Sequence, residues 1–289
     1  MTTYISVDGK QEAWIDYRIF GQIPEKPFIV LQDDNGNVIQ RPGQLDWETR
    51  VKNDFLKKCD GYTETDTNGN LILGEYIPLK CKIDIHDTEK HVIVRQTKSI
   101  LDALKHAAYQ DDCAIAELEV ERILDDNCYT DIVIYPAKAN QIKYPFPNPI
   151  NFDYFTTIKD TARSTDKSKK ITPQKNLDLD QKLYQVIRDA FKSQCNEFIC
   201  GDFEMFFLMN CREINKWVSL PERAELLKQN TLPITTPDAD NSIYSLMKAL
   251  HEVAFDDARD LAKFHVVKGW CNKEQKNYHL WIYNRKEYQ

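Results

Sequence analysis

Glycine is scarce in this sequence, with only 9 residues among 289. The glycine-rich turns that cradle phosphate groups need several glycines at fixed spacing, and neither the P-loop nor the dinucleotide-binding motif is present. The nucleophile elbow Gly-x-Ser-x-Gly and the zinc motif His-Glu-x-x-His are also absent. These absences disfavour the common nucleotide-dependent and hydrolytic enzymes, but they leave open an active site whose residues are dispersed along the chain.

Long apolar runs are also absent. No stretch approaches the roughly 18 apolar residues that a membrane-spanning helix requires, and the first residues show no basic start followed by an apolar segment. We therefore expect a cytoplasmic protein without membrane contact. In that reducing compartment the 8 cysteines are expected to be free thiols. Because no two of them have Cys-x-x-Cys spacing, a structural zinc site is not indicated.

Basic residues are outnumbered, since 38 Lys and Arg face 45 Asp and Glu and the formal net charge is −7. A net acidic chain is not typical of a general nucleic-acid-binding protein. The hydrophobic fraction of 42% is that of an ordinary globular protein. A chain of this length can bury an adequate core without disulfides or metals.

The N-terminal part is predicted to consist mainly of strands and hairpins. Aromatic and β-branched residues over 14–20 suit a pleated surface, and Asn35-Gly36 supplies the positive φ angles of a tight hairpin turn. Apolar residues spaced by three and four predict a helix over 46–58. Strands are predicted over 71–85 and 91–94. A further strand is predicted over 114–124, although its Ala, Leu and Glu content also allows a helix.

The C-terminal part is predicted to be mainly helical. Apolar stripes indicate helices over 179–191, 203–218 and 243–261, and the strands 264–270 and 278–283 are expected to pair as a closing hairpin. No internal repeat is evident. The predicted fold class is therefore α+β, with a β-hairpin-rich domain, a basic flexible linker and a helical domain that ends in a two-stranded hairpin. The predicted boundaries are 1–148, 149–176 and 177–289.

One stretch resembles the calcium-binding loop of an EF-hand. Glu64, Asp66, Asn68 and Glu75 stand at the first, third, fifth and twelfth positions of that loop, with glycine at the sixth. The resemblance implies calcium as a ligand, and no other cofactor is indicated. Glutamate replaces aspartate at the first position, and Pro78 stands where the outgoing helix should run. The alternative is an ordinary hairpin turn.

A second stretch suggests nucleophilic catalysis. His279 on the last predicted strand resembles the histidine strand of papain-like or transglutaminase-like hydrolases, in which imidazole activates a cysteine on a distant helix. The resemblance implies Cys195, Cys200 or Cys211 as the nucleophile and Asn284 as the residue that orients the ring. None of these cysteines has a local catalytic signature, so the alternative is that His279 and the cysteines are structural.

Charge is segregated along the chain. Residues 111–131 contain eight acids and one base, and three glutamates share one face of the predicted strand. Residues 159–175 contain six bases and two acids. This basic segment lacks aromatic residues for base stacking, so it supports at most contact with a nucleic-acid backbone. The residues expected to bind a partner are Glu117, Glu119, Glu121, Lys159, Arg163, Lys167, Lys169 and Lys170.

These features lead to three functional hypotheses. The first is a non-enzymatic interaction module, an accessory or regulatory protein that binds a protein or nucleoprotein partner through opposed acidic and basic surfaces. The second is a cysteine-dependent hydrolase or transferase that uses His279. The third is a nucleic-acid-binding accessory protein that works through the basic segment.

Overall fold

The computed structural model describes residues 15–26, 42–58, 78–139, 142–143, 145, 149–153, 173–195, 197–213, 220–234, 238–271 and 277–285. These residues form five α-helices and eight β-strands. The helices are α1 (Pro42–Lys58), α2 (Ile93–Leu104), α3 (Pro173–Gln194), α4 (Pro221–Asn230) and α5 (Ala239–Leu250). The strands are β1 (Ile15–Phe20), β2 (Leu79–Asp87), β3 (Ile115–Leu124), β4 (Tyr129–Pro136), β5 (Ile150–Asp153), β6 (Phe203–Glu213), β7 (Leu261–Cys271) and β8 (Asn277–Asn284).

All eight strands form one mixed sheet in the order β1-β4-β2-β3-β7-β6-β8-β5. The first four strands of the chain make one half of the sheet and the last four make the other. The halves join at the antiparallel pair of β3 and β7, and each half contains one parallel pair, β2 with β3 and β6 with β7. Outward from the centre, the order β3-β2-β4-β1 in one half corresponds to β7-β6-β8-β5 in the other.

The two halves are copies of one arrangement. Helix α2, the short 3-10 helix Asp112–Ala114 and strand β3 recur as α5, Ala258–Asp260 and β7, each beginning 146 residues later (239 − 93, 258 − 112 and 261 − 115). In both copies a residue with positive φ follows the helix, His106 at 58° and Glu252 at 65°. Glu119 pairs with its own equivalent, His265, across the central strands. A pseudo-two-fold axis therefore passes through this pair.

The expectation of no internal repeat is thus wrong. The aligned helices α2 and α5 share only three identical residues among 12, because many different apolar side chains satisfy the same buried positions. The relationship is carried by element bounds, strand register and turn geometry instead of residue identity.

The prediction of a mainly helical C-terminal part is also wrong. Residues 203–213 form strand β6, which lies between β7 and β8, so the two predicted closing strands do not pair as a hairpin. Both faces of β6 are buried, and a strand of that kind is a continuous apolar run that lacks the alternation of a half-exposed strand. Its Phe and Met residues therefore imitate the stripe of a buried helix.

Several local predictions are tested by the structure. The predicted strand over 114–124 is confirmed as β3, and the predicted helix over 46–58 lies within α1. The strand predicted over 91–94 is wrong, because α2 begins at Ile93. The Asn35-Gly36 hairpin lies outside the described residues.

The core lies between the helices and one face of the sheet. Helices α2 and α5 pack on each other and on β3, while α1 packs on α2 and α3 packs on α5. Alternate residues of β2 such as Leu79 and Ile83 are fully buried in the same cluster as Leu104 and Leu250. Burying each such side chain contributes about 1.5–3 kcal/mol. None of the described helices is long and apolar enough to cross a membrane.

Candidate metal centre

Three aspartates converge at the edge of the central strand pair. Asp112 opens the short helix that leads into β3, Asp238 immediately precedes α5, and Asp240 lies in the first turn of α5. One carboxylate oxygen from each residue lies within 4.8 Å of the other two. The first copy of the repeat contributes Asp112 and the second contributes the other two. We call this set the aspartate centre.

Asp238 and Asp112 both lie at the start of a helix without capping it. Asp238 occupies the N-cap position of α5, where an aspartate normally accepts a bond from the helix backbone, yet its side chain makes no such capping bond. Its Oδ2 accepts a bond from Asn241 Nδ2 at 3.0 Å instead. In the first copy, Asp111 caps the short helix by accepting from Cys113 N at 3.2 Å, and the next residue, Asp112, is buried.

Each aspartate of the centre has one oxygen without a hydrogen-bond partner. These are the Oδ1 atoms of Asp112, Asp238 and Asp240, all of them buried. Asp112 and Asp240 are each only 3% exposed. A buried carboxylate oxygen without a donor is costly, and native proteins rarely keep one unless a cation or water binds it. Because one oxygen of each residue also lies within 4.8 Å of the other two, the three carboxylates form a ligand set for a positively charged group.

The proximity of the carboxylates also shifts their ionisation. Burial, followed by repulsion from Asp240, raises the pKa of Asp112 to about 7. The same two causes raise the pKa of Asp238. A divalent cation among the three oxygens would remove both causes, because it replaces lost hydration and reverses the local charge.

Two lysines contact carboxylates of the centre. Lys98 Nζ lies 2.7 Å from Asp240 Oδ2 and 3.9 Å from Asp112 Oδ2, and Lys105 Nζ lies 3.8 Å from Asp112 Oδ2. Burial alone would lower the pKa of Lys98, but the carboxylates of Asp240 and Asp102 outweigh it and raise that pKa. These lysines approach Oδ2 atoms, so the Oδ1 atoms of the centre stay available.

A third cation reaches the centre from the other copy. Lys268 on β7 is fully buried and donates from Nζ to the carbonyl oxygen of Cys113 at 2.8 Å. Cys113 directly follows Asp112, so the bond ties the turn that carries Asp112 to β7. The centre consequently exists only where the two copies pack together.

The donor set selects the kind of metal. Three carboxylates without histidine or thiolate ligands suit hard cations such as Mg²⁺, Mn²⁺ or Ca²⁺. Three protein ligands also leave coordination positions for water and for a substrate oxygen.

No protein-family model matches this sequence, and no curated protein matches it.

The predicted cysteine–histidine site has different contacts from those expected. His279 Nδ1 lies 2.6 Å from Asn151 Oδ1, and its ring centroid lies 6.2 Å from that of Trp281. Burial lowers the pKa of His279. Asn284 donates to the backbone oxygen of Cys200 at 3.3 Å. Among the described contacts of the His279 ring there is no thiol, so the cysteine-dependent activity stays a prediction.

The cysteines named as nucleophiles lie in separate elements. Cys195 directly follows α3 and packs partly buried against the core, and Cys200 is exposed. Cys211 is in β6, and its side chain lies outside the described set.

The three glutamates of β3 are paired within the chain. Glu117 lies 2.8 Å from both Lys80 and His265. Glu119 lies 3.2 Å from Lys80 and 3.0 Å from Lys263. Arg285 lies 2.6 Å from Glu121, which also contacts Lys263. We call Lys80, Glu117, Glu119, Lys263, Glu121 and Arg285 the ion-pair ladder. Partner binding through Glu117, Glu119 and Glu121 stays a prediction.

The remaining predicted site residues cannot be compared with the structure. The calcium-loop residues Glu64, Asp66, Asn68 and Glu75 lie outside the described residues, as do Lys159, Arg163, Lys167, Lys169 and Lys170. The predicted calcium site and the basic contact surface stay predictions.

Sequence reasoning missed all three residues of the aspartate centre. The available signals were the acidic pair Asp111-Asp112 and the Asp-x-Asp spacing of Asp238 and Asp240. Each is common in surface turns, and the two lie far apart in the sequence. Only the pairing of β3 with β7 brings them together.

Proposed function

We propose that the protein is a divalent-cation-dependent phosphodiesterase whose substrate is the backbone of a nucleic acid. Mg²⁺ or Mn²⁺ would be held by Asp112, Asp238 and Asp240. The observation that carries the proposal is the convergence of three carboxylates, each of which has one buried oxygen without a hydrogen-bond partner.

The chemistry follows from the ligand set. A divalent cation held by Asp112, Asp238 and Asp240, with open positions, would bind a phosphate oxygen and lower the pKa of a bound water molecule. It would thereby support attack of that water on phosphorus as the ester P–O bond breaks, with the proton of the water passing through solvent to the leaving oxygen. The chain contributes by positioning the cation and by excluding competing ligands through burial.

The neighbouring cations favour an anionic substrate. Lys98 and Lys105 lie beside the centre, and ammonium groups stabilise the charge that develops on a phosphoryl group during transfer. The absence of a glycine-rich phosphate cradle disfavours a nucleoside triphosphate. The net positive segment 159–175 supports contact with a polymer of phosphates in a chain that is otherwise acidic.

The interaction-module hypothesis is a second proposal, with a cytoplasmic location and a protein or nucleoprotein partner. Its support is the charge segregation along the sequence. The pairing of Glu117, Glu119 and Glu121 within the chain reduces the negative charge that they offer to a basic partner.

The proposal is tested by metal binding and by cleavage. Mn²⁺ titration calorimetry should detect binding at millimolar or lower concentration, and labelled single-stranded DNA, duplex DNA and RNA should show at least one cleaved substrate in the presence of Mg²⁺ or Mn²⁺. Both signals should be lost in Asp240→Asn and kept in Asp256→Asn, a matched change at an exposed residue.

A negative result in the binding experiment and one in the cleavage experiment would reject different parts of the proposal. Absence of metal binding would refute the centre. Metal-dependent hydrolysis of bis(p-nitrophenyl) phosphate without cleavage of any nucleic acid would keep the phosphodiesterase and reject the polymer substrate.

A further inference from the structure

We infer that the fold has two equivalent positions for a metal centre, that only one of them can bind metal, and that the protein therefore cuts one strand of a duplex in each encounter. This inference rests on the proposed function. It concerns the number of working centres, which follows from the internal repeat.

The repeat locates the second position. At the same separation of 146 residues, the equivalents of Asp238, Asp240 and Asp112 are Val92, Val94 and Ala258 (238 − 92, 240 − 94 and 258 − 112). Val92 immediately precedes α2 just as Asp238 precedes α5, and Ala258 opens the second short helix. All three ligand positions are therefore apolar in the second place.

The scaffold of the second position is nevertheless retained. Arg122, the equivalent of Lys268, donates to the carbonyl oxygen of Arg259, just as Lys268 donates to that of Cys113. Asp257 caps its short helix by accepting from Arg259 N at 2.9 Å, as Asp111 does in the first copy. The backbone at the two positions is thus alike, and the difference lies in the ligand side chains.

Basic side chains of the protein itself pair with the acidic residues near the second position. Lys90 Nζ lies 2.5 Å from Asp202 and 2.9 Å from Asp260, and Arg122 lies 3.4 Å from Asp202. The acids near this position therefore have ammonium and guanidinium partners. In the aspartate centre, Lys98 and Lys105 contact Oδ2 atoms, and the three Oδ1 atoms have no hydrogen-bond partner.

All three aspartates are present at one position and none at the other, as cation binding predicts. A single buried carboxylate without a partner destabilises the fold, and it gives little metal affinity when the other ligands are missing. Three carboxylates together bind a metal ion, whereas each one alone would only destabilise the fold. Their joint presence at one position and joint absence at the other therefore indicate one working centre.

The geometry of the repeat gives the consequence for the substrate. Two working centres related by the pseudo-two-fold axis could attack two phosphates in one encounter. With one centre, a duplex is cut in one strand, and a second cut requires rebinding.

Metal binding tests the number of centres. In Mn²⁺ titrations of the full chain, the nearly isosteric double variant D238N/D240N should lose all specific binding, whether the centre holds one ion or two. The variant V92D/V94D/A258D should show twice the wild-type stoichiometry, with circular dichroism as the check on folding. Retention of half of the sites in D238N/D240N would overturn the inference.

A supercoiled plasmid tests the single cut. Open circles should accumulate before any linear product appears, and V92D/V94D/A258D should produce linear DNA earlier. Linear product formed by the wild type from the first time points would contradict the inference. If the wild type binds metal but cuts no DNA, the single-cut part fails together with the proposed substrate, and the binding data still decide whether there is one centre.

Discussion

Two groups of carboxylates, one on β3 and one in the helical segments beside the central strands, behave in opposite ways. In the ion-pair ladder, burial would raise the pKa of Glu119, but Lys263 and Lys80 lower it to about 2. In the aspartate centre, burial and Asp240 raise the pKa of Asp112 to about 7. Both residues belong to the same acidic stretch of sequence. The density of acidic residues therefore does not distinguish a binding site from a structural network; the difference is whether the carboxylate charge is balanced by close cationic side chains.

Replacing Asp112 by asparagine should have the largest effect. Metal affinity and cleavage should fall by at least about 100-fold, because losing a ligand exceeds the 10–100-fold effect of losing an outer partner. The metal-free protein should instead become more stable at pH 8, by about 2 kcal/mol, because burial and repulsion from Asp240 outweigh the attraction of Lys98 and Lys105 for this charge. Urea unfolding in EDTA measures the second effect.

The pH dependence of this stability gain follows from the shifted pKa of Asp112. The folded-state pKa of Asp112, about 7, lies above its ordinary value, so ionisation opposes folding increasingly as pH rises from about 4 to 7. The stability gain of Asp112→Asn should therefore be largest above pH 7 and vanish near pH 4. A loss of stability at pH 8 would show that Asp112 is a structural residue like Glu119.

Local patterns in the sequence predicted part of this fold. Residues 114–124 alternate Leu118 and Val120 with glutamates, and this period of two correctly indicates β3. Strand β6 has apolar side chains on both faces, so its period carries no information about its type. Its identity depends on β7 and β8, which the chain reaches only later.

The aspartate centre was beyond local reasoning for a related reason. Its ligands come from both copies of the repeat, and α2 and α5 share too few residues for the copies to be aligned by sequence. Once the backbone shows the equivalence, the contrast between Asp238 and Val92 becomes visible. The ion-pair ladder was hidden in the same way, because Lys263 and Arg285 meet β3 glutamates only through the sheet.

A smaller effect is expected at the bonds between the copies. Lys268→Met removes the bond that holds the turn of Asp112, and Arg122→Met removes its equivalent at the position without metal ligands. Both variants should be less stable, because each change leaves a buried carbonyl oxygen without its charged donor. Only Lys268→Met should weaken Mn²⁺ binding, by about 10-fold, since only that bond positions a metal ligand.

Titration calorimetry on folded protein separates these two variants. Equal loss of Mn²⁺ affinity in both would mean that the bonds act through general stability and that Lys268 has no positioning role.

The smallest effect is expected in the ion-pair ladder. Glu119→Gln should destabilise the protein by about 1–2 kcal/mol at pH 7, because a partly buried carboxylate loses its bonds to Lys80 and Lys263.

The pKa of Glu119 is lowered to about 2 in the folded state, so its contribution is complete above its ordinary value near 4.5 and is lost as the pH falls towards 2. Urea unfolding should show nearly the same difference between wild type and variant at pH 7 and pH 5 and a smaller difference at pH 3.5, with a sign opposite to that of the stability change in Asp112→Asn. The same change at Glu121, which Arg285 and Lys263 contact at a more exposed place, should cost less, under about 1 kcal/mol. If Glu119→Gln and Asp112→Asn changed the free energy of unfolding in the same direction at pH 8, the two carboxylates would have the same effect on stability. The distinction between a carboxylate balanced by close cations and one that is not would then be wrong.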